Sequence, residues 1–179
     1  MRFGDPTEFA IDAFHEPAGP EWVGFGRMSI YAGSIPLGDL SEEHCSLFHA
    51  VDRFRALGSV VETLWDDSFV GLSDAQIFAL LDDALYVGNE PRWERYGKFD
   101  FLTNTGEQFD GFKTFIVCSP DRQVHVLWRL PDDTFGSDVC ASAAFRGVAE
   151  AFVVWFDEQV GPLRQSPNPS LEHNRWPLC

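Results

Sequence analysis

The sequence has few basic residues and no long apolar segment. Only 13 of its 179 residues are Lys or Arg, against 28 Asp or Glu, which gives a formal net charge of −15. Such a charge repels nucleic acids and anionic membranes, and it attracts basic partners. No apolar run approaches the roughly 20 residues that a membrane-spanning helix requires. The composition therefore argues against direct nucleic-acid binding and against membrane insertion.

Motifs for catalysis and phosphate binding are also missing. The sequence contains neither a Gly-x-Ser-x-Gly turn, which presents a serine nucleophile, nor a Gly-x-x-x-x-Gly-Lys-Ser/Thr loop. The four cysteines are scattered without a Cys-x-x-Cys pair, which predicts reduced thiols. The N-terminus has no basic segment followed by an apolar one, so no signal peptide is predicted. We therefore predict a cytoplasmic protein that is not an enzyme and needs no cofactor.

The candidate metal ligands do not form a recognisable site. His44, Cys45 and His49 are close in sequence, but histidines five positions apart do not share a helix face. Cys118 and His125 flank a predicted hairpin turn, and two ligands do not make a zinc site. We predict no metal site. The alternative is a small metal-dependent hydrolase that assembles His44, His49 or His125 with scattered carboxylates.

Apolar and aromatic residues are abundant, with 45% hydrophobic residues and 17 Phe. A short run dense in apolar residues predicts a strand at 8–15, and alternation of residue types predicts another at about 23–32. The two should pair as a hairpin. Further strands are predicted at 98–103, 112–118 and 124–130. The last two are joined by Ser-Pro-Asp-Arg, a favourable turn composition, and should form a second hairpin.

Helix signals occur in three regions. The first predicted helix begins with Ser41 as N-cap and ends near Gly58. The second has the capping-box pattern Ser-x-x-Gln at Ser73 and Gln76. The third is long, about 139–160, with Ser137 or Asp138 as its cap and Gly161-Pro162 as its stop.

These elements predict an α+β fold. We expect a mostly antiparallel sheet of about five strands with two or three helices packed on it, including the long C-terminal helix. Residues 1–161 should form a single domain. Residues 162–179 are predicted to be an irregular, Pro-rich C-terminal tail.

Acidic residues cluster around the second predicted helix. Asp66, Asp67, Asp82 and Asp83 flank it and could form one acidic patch. Exposed charge runs are usually solvated surfaces, and neighbouring acids do not supply the contrasting environments of an acid–base pair. Together with an exposed aromatic such as Trp93, however, the patch would suit a basic protein partner. We predict these five residues as a partner-binding site.

Several segments of the chain resemble one known family. They are FGDPTEFAI at 3–11, WVGFGRMSIYAGSIPLGD at 22–39, IFALLDD at 77–83, the strand pair FDGFKTFIV and VHVLWRLP, and AFVVWF at 151–156. With these segments the sequence resembles the Imm42 family of bacterial immunity proteins, small cytoplasmic proteins encoded beside polymorphic toxins. The resemblance covers residues 3–158 and carries over no catalytic motif and no functional residues.

The resemblance implies a binding function, in which the protein neutralises a cognate toxin by direct contact. A toxin that is a nuclease would bind phosphate with a basic surface, and an acidic inhibitor could occupy that surface. A second possibility is an acidic adaptor or nucleic-acid mimic that binds a basic housekeeping protein.

Overall fold

The computed structural model describes residues 1–17, 22–43, 45–89, 92–103 and 105–164. Within these residues the chain forms eight strands and four α-helices. The strands are β1 (Arg2–Asp5), β2 (Phe9–His15), β3 (Phe25–Ala32), β4 (Ile35–Leu37), β5 (Cys45–Ser46), β6 (Lys113–Cys118), β7 (Gln123–Arg129) and β8 (Phe135–Ala141). The helices are α1 (Phe48–Val60), α2 (Asp74–Asp82), α3 (Trp93–Tyr96) and α4 (Ser142–Arg164).

The strands form two antiparallel sheets. The first has the order β1-β2-β3-β4, and β5 pairs with the other end of β3. The second has the order β6-β7-β8. Both predicted hairpins, β2–β3 and β6–β7, are confirmed. The predicted α+β class, the antiparallel pairing and the C-terminal helix are likewise confirmed. Among the described residues, no helix is both long enough and apolar enough to cross a membrane.

The core is built on phenylalanine. Phe54 of α1 is fully buried, and its ring contacts the rings of Phe9 on β2 and of Phe145 and Phe152 on α4. The ring of Phe101 adds an edge-on contact at a centroid distance of 5.5 Å. Edge-to-face aromatic pairs stabilise a core beyond the area that they bury. This cluster joins the first sheet to helices α1 and α4.

The first helix begins later than the sequence predicts. Ser41 is not an N-cap, because its N–H and hydroxyl both donate to Asp39 in a local turn. Cys45 and Ser46 then pair with the edge of β3, which holds the chain extended as far as β5. The helix also runs through Gly58, whose backbone is not left-handed, and ends at Val60.

The last helix was also misplaced by the sequence pattern. Ser137 and Asp138 are not caps, because residues 135–141 form β8 and pair with β7 along its whole length. Helix α4 therefore begins at Ser142. Gly161 lacks the left-handed conformation of a helix-terminating glycine, and the helix continues to Arg164. The rest of the predicted tail, 165–179, lies outside the described residues.

The strand predicted at 98–103 is replaced by a tight turn at Gly97–Phe99 and a single bridge between Asp100 and Phe115. Threonine side chains take over the pairing. Thr114 Oγ1 accepts from the N–H of Leu102, and Thr103 Oγ1 accepts from the N–H of Thr114, both at 2.9 Å. The buried segment thus satisfies its backbone without forming a regular ladder.

Candidate functional site

The first predicted acidic residue, Asp66, is held in place by a cation and a turn. Its carboxylate accepts two hydrogen bonds from Arg95, at 3.1 and 2.6 Å. It also caps the following turn by accepting from the N–H and hydroxyl of Ser68. The Arg95 guanidinium and the Ser68 donors together hold the pKa of Asp66 well below its usual range. Asp66 is therefore ionised and engaged within the fold.

Asp82 lies at the end of α2 and is only 5% exposed. Its two carboxylate oxygens bind Lys113 on β6 and Arg129 on β7, the latter at 3.1 Å. This acid ties a helix to the second sheet and is not presented to a partner. The arrangement places one anion between two partly exposed cations.

Asp67, Asp83 and Trp93 are on the surface. Asp83 accepts from Arg92 at 3.3 Å, while Asp67 is exposed and has no ion pair among the described residues. Trp93 is 47% exposed and packs edge-on against Tyr86.

Helix α3 brings most of these residues together, because Arg92 binds Asp83 and Arg95 binds Asp66. We refer to Asp66, Asp67, Asp83, Trp93, Arg92 and Arg95 as the α3 face. Two of its three acids are paired with arginines, and the adjacent Asp82 is buried.

A second acidic surface was not predicted from the sequence. It is a cleft of about 820 Å³. We call it the acidic cleft and define it by its lining residues, Ser29, Tyr31, Pro36, Gly38, Asp39, Leu40, Glu42, Glu107, Asp110, Phe112 and Pro131. Four of these eleven residues carry a carboxylate, and none is Lys or Arg.

Two segments that are distant in sequence form the walls of the cleft. One is the loop after β4, and the other is the turn at Glu107–Phe109. They are joined by a hydrogen bond of 2.7 Å from the Asp39 N–H to the Gln108 carbonyl. Gly38 has a φ of 101°, and a Cβ there would lie 2.8 Å from the Phe109 ring. A glycine is therefore needed where the two walls meet.

The field of the cleft is negative. The Asp39 carboxylate accepts from the N–H and hydroxyl of Ser41, which lowers its pKa. Burial raises the pKa of the nearby Cys45 thiol, and the charges of Glu107, Glu42 and Asp110 raise it further. Three carboxylates from two segments thus act on one point. Their distance in sequence explains why no local pattern predicted them.

The floor of the cleft contains a polar group without a partner. Ser29 is fully buried, and its hydroxyl has no hydrogen bond among the described residues. Ser29 and Tyr31 are two positions apart on β3, so both project from the same face of the strand. Behind one wall, the buried amide of Gln108 also lacks partners among the described residues. Buried polar groups are nearly always paired, so these exceptions call for an explanation.

Asp74, His125 and Ser119 lie in the order of a Ser-His-Asp triad. His125 Nδ1 is 3.0 Å from Asp74 Oδ1, and Nε2 is 3.3 Å from Ser119 Oγ. The Ser119 hydroxyl, however, donates to Asp121, and the backbone N–H of Ser119 donates to the Gln123 carbonyl. Neither group is positioned to act as nucleophile or oxyanion donor. The chain of contacts connects the start of α2 to the β6–β7 turn.

This ion pair affects the pKa values of both partners. The hydrogen bond that the Asp74 carboxylate accepts raises the pKa of His125, and the same bond lowers the pKa of Asp74. The pair is partly buried and tightens α2 against β7.

The ligands considered for a metal site are not assembled. His49 is exposed on α1, whereas His125 contacts Asp74, and His44 lies outside the described residues. Cys118 is buried at the end of β6 and pairs with Val124, not with His125. Within the described part of the chain, no group of three His, Cys, Asp or Glu residues could hold a metal ion.

Fold and surfaces together define a class: a small, acidic α+β protein with candidate protein-binding surfaces. Residues 1–155 match the family described as Immunity protein 42, Imm42, and the chain belongs to this family. The family resemblance inferred from the sequence is thereby confirmed. No curated protein matches the chain.

A solved structure shares the fold. The chain is similar to CdiI from Burkholderia dolosa AUO158, with a TM-score of 0.57 and 15% sequence identity. The match covers 87% of this chain and 99% of that one. At this identity the likeness shows a common fold and carries no residue roles.

Proposed function

We propose that this protein neutralises a cognate toxin by binding it directly. The observation that carries the proposal is membership of the Imm42 family across residues 1–155. The fold shared with CdiI from Burkholderia dolosa AUO158 supports it. In this role the protein is a stoichiometric inhibitor that acts in the cytoplasm, and it performs no chemistry on the toxin.

The proposed contact is electrostatic. A net charge of −15 steers a basic protein towards this one and speeds their association. A nuclease is a toxin of this kind, because it must present a basic surface to phosphate. An acidic inhibitor on that surface would exclude the nucleic acid.

The α3 face is one proposed contact region. Asp67, Asp83 and Trp93 are exposed there and can meet a partner directly. Asp66 and the neighbouring Asp82 act indirectly, because each holds cations that shape the surface. Tryptophan is enriched among the residues that contribute most to binding at protein interfaces.

The test is co-expression with the toxin encoded by the adjacent gene. We expect the wild-type protein to protect cells and to co-purify with the toxin at a ratio of about one to one. A toxin that is equally lethal with and without this protein contradicts the proposal.

The contribution of the α3 face is tested by charge reversal. The double variant Asp67→Lys/Asp83→Lys should slow association at low salt more than at high salt, because exposed charges are screened. Glu150→Lys/Glu158→Lys on α4 is the control with the same change in charge. Equal rates for the two variants would remove the α3 face from the contact.

A further inference from the structure

The acidic cleft contains carboxylates that have no ion pair among the described residues. Asp39, Glu42, Glu107 and Asp110 are all exposed, and no salt bridge involves any of them among the described residues. Like charges held close together repel one another unless a cation lies between them. The four carboxylates therefore form an acidic cluster that lacks its counter-charge.

The second observation is independent of charge. Ser29 lines the same cleft, and its buried hydroxyl has no hydrogen-bond partner among the described residues. A buried hydroxyl without a hydrogen bond destabilises the folded state, and a ligand that donates to it removes that penalty. The site therefore has an acceptor at its base and anions at its rim.

The remaining lining is mostly apolar. Tyr31, Pro36, Phe112 and Pro131 supply rings, and the cleft has a volume typical of ligand pockets, which span roughly 300–1,000 Å³. Such walls suit the methylene stem of a long basic side chain, whose charged head stays among polar groups. Arg2 lies over Tyr31, but Asp12 already binds its guanidinium through both oxygens.

We infer that the acidic cleft binds an arginine side chain of the toxin, with its guanidinium between the carboxylates of Glu107, Asp110 and Glu42 and an N–H donated to Ser29. This inference rests on the proposed function, since the arginine belongs to the toxin. It adds a specific anchor to the electrostatic contact proposed above.

The donor geometry favours arginine over other cations. Guanidinium has five N–H donors in a planar fork and can serve several acceptors at once. A divalent metal needs three or more ligands converging within about 2.6 Å, and no such group exists among the described residues. Lysine, with a compact ammonium, should bind the same cleft more weakly.

The first experiment compares two double variants that remove the same charge. Glu107→Gln/Asp110→Asn changes the cleft, and Glu150→Gln/Glu158→Gln changes α4. We expect the cleft variant to weaken toxin binding by about tenfold to a hundredfold, because two charge-assisted contacts are lost. The α4 variant should change binding less than threefold. Equal weakening in both variants, or none in either, overturns the inference.

The second variant, Ser29→Ala, separates binding from stability. We expect a higher melting temperature, because an unpartnered buried hydroxyl is removed, and weaker toxin binding by roughly tenfold. A purely structural role for Ser29 would not move the two measurements in opposite directions. Unchanged toxin binding in this variant counts against the inference.

The third measurement does not need the toxin. N-acetyl-arginine amide is titrated into the full-length protein, with the lysine and citrulline analogues alongside, and amide shifts are followed by NMR. We expect saturable shifts at Gly38, Ser29 and Asp110 with arginine, smaller shifts with lysine and none with citrulline. Arginine shifts that are unsaturable, or that persist in Glu107→Gln/Asp110→Asn, overturn the inference.

The experiments distinguish two kinds of failure. If the wild-type protein does not bind the toxin, the proposed function fails, and the arginine titration still decides whether the cleft binds guanidinium. If the wild-type protein binds the toxin and the cleft variants bind equally well, only the inference fails.

Discussion

The α3 face and the acidic cleft have similar charged groups but use them differently. On the α3 face, Asp66 and Asp83 are each bound by an arginine. In the cleft, Glu107 and Asp110 have no such partner among the described residues, and the hydroxyl of the fully buried Ser29 lacks a hydrogen bond there. The α3 face thus pairs two of its three acids with arginines, whereas the acids of the cleft have no ion pair among the described residues.

This difference indicates what each region contributes. Paired acids are part of the fold, so their loss should first be seen in stability. Removal of an acid that has no ion pair should change the folding stability little, so its loss should first be seen in binding. The contrast is tested by substituting acids in both regions and measuring the free energy of unfolding, beginning with the largest expected change.

Asp82→Asn should destabilise the protein most. Asp82 is buried, and the substitution leaves Lys113 and Arg129 without the anion that joins them. Because both cations keep some contact with water, we expect a loss of about 2 kcal/mol, below the full cost of breaking a buried pair. Urea unfolding measures the change. Asp83→Asn, an exposed neighbour, is the control, and an equal loss there would contradict the argument.

Asp66→Asn should have the next largest effect, a loss of about 1 kcal/mol, because Asn can still cap the turn but has no charge to pair with Arg95. The pKa of Asp66 is lowered in the folded state, so its stabilisation is present above the ordinary value of 3.8 and is lost as pH falls below it. The free energy of unfolding of the wild type should therefore fall more steeply with decreasing pH than that of the variant. Parallel pH profiles would show that Arg95 does not stabilise the carboxylate.

His125→Gln should have a smaller effect that depends on pH in the opposite sense. The folded-state pKa of His125 is raised, so its stabilisation is complete below the ordinary value of 6.5 and is lost as pH rises past the folded value. At pH 5.5 the free energy of unfolding of the wild type should exceed that of the variant by up to about 1 kcal/mol. At pH 8.5 this difference should be smaller. A difference that grows with pH would mean that the pair with Asp74 is not ionic.

Local signals predicted the elements that depend on neighbouring residues. The capping box of Ser73 and Gln76 is present as predicted, with each side chain bonded to the other's backbone. The alternating segments 112–118 and 124–130 form their hairpin because a short turn joins them. In these cases the residues that decide the structure lie within one window of the sequence.

Contacts from distant residues decided the elements that were misplaced. The sequence pattern places Cys45 and Ser46 in the first helix, but in the structure they pair with Phe25 and Gly26 as a strand. Residues 135–141 resemble a helix start, but the edge of β7 holds them as a strand. Tertiary pairing overrides weak local preference in both segments.

The candidate sites follow the same rule. The α3 face was partly predicted because Asp66, Asp67, Asp82 and Asp83 flank one helix, although burial of Asp82 depends on Lys113 and Arg129 from the second sheet. The acidic cleft was not predicted, because its two walls are distant in sequence and meet through tertiary contacts such as that between Asp39 and Gln108.

The smallest expected stability change is in the cleft. Glu107→Gln/Asp110→Asn should leave the free energy of unfolding within about 0.5 kcal/mol of the wild type, as is usual for surface substitutions. Any change should be a gain at low salt that disappears at high salt, because removing like charges relieves repulsion that salt already screens. A loss of 2 kcal/mol, as expected for Asp82→Asn, would show that these carboxylates are structural. The two regions would then not differ in this respect, because the cleft acids would stabilise the fold just as the paired acids do.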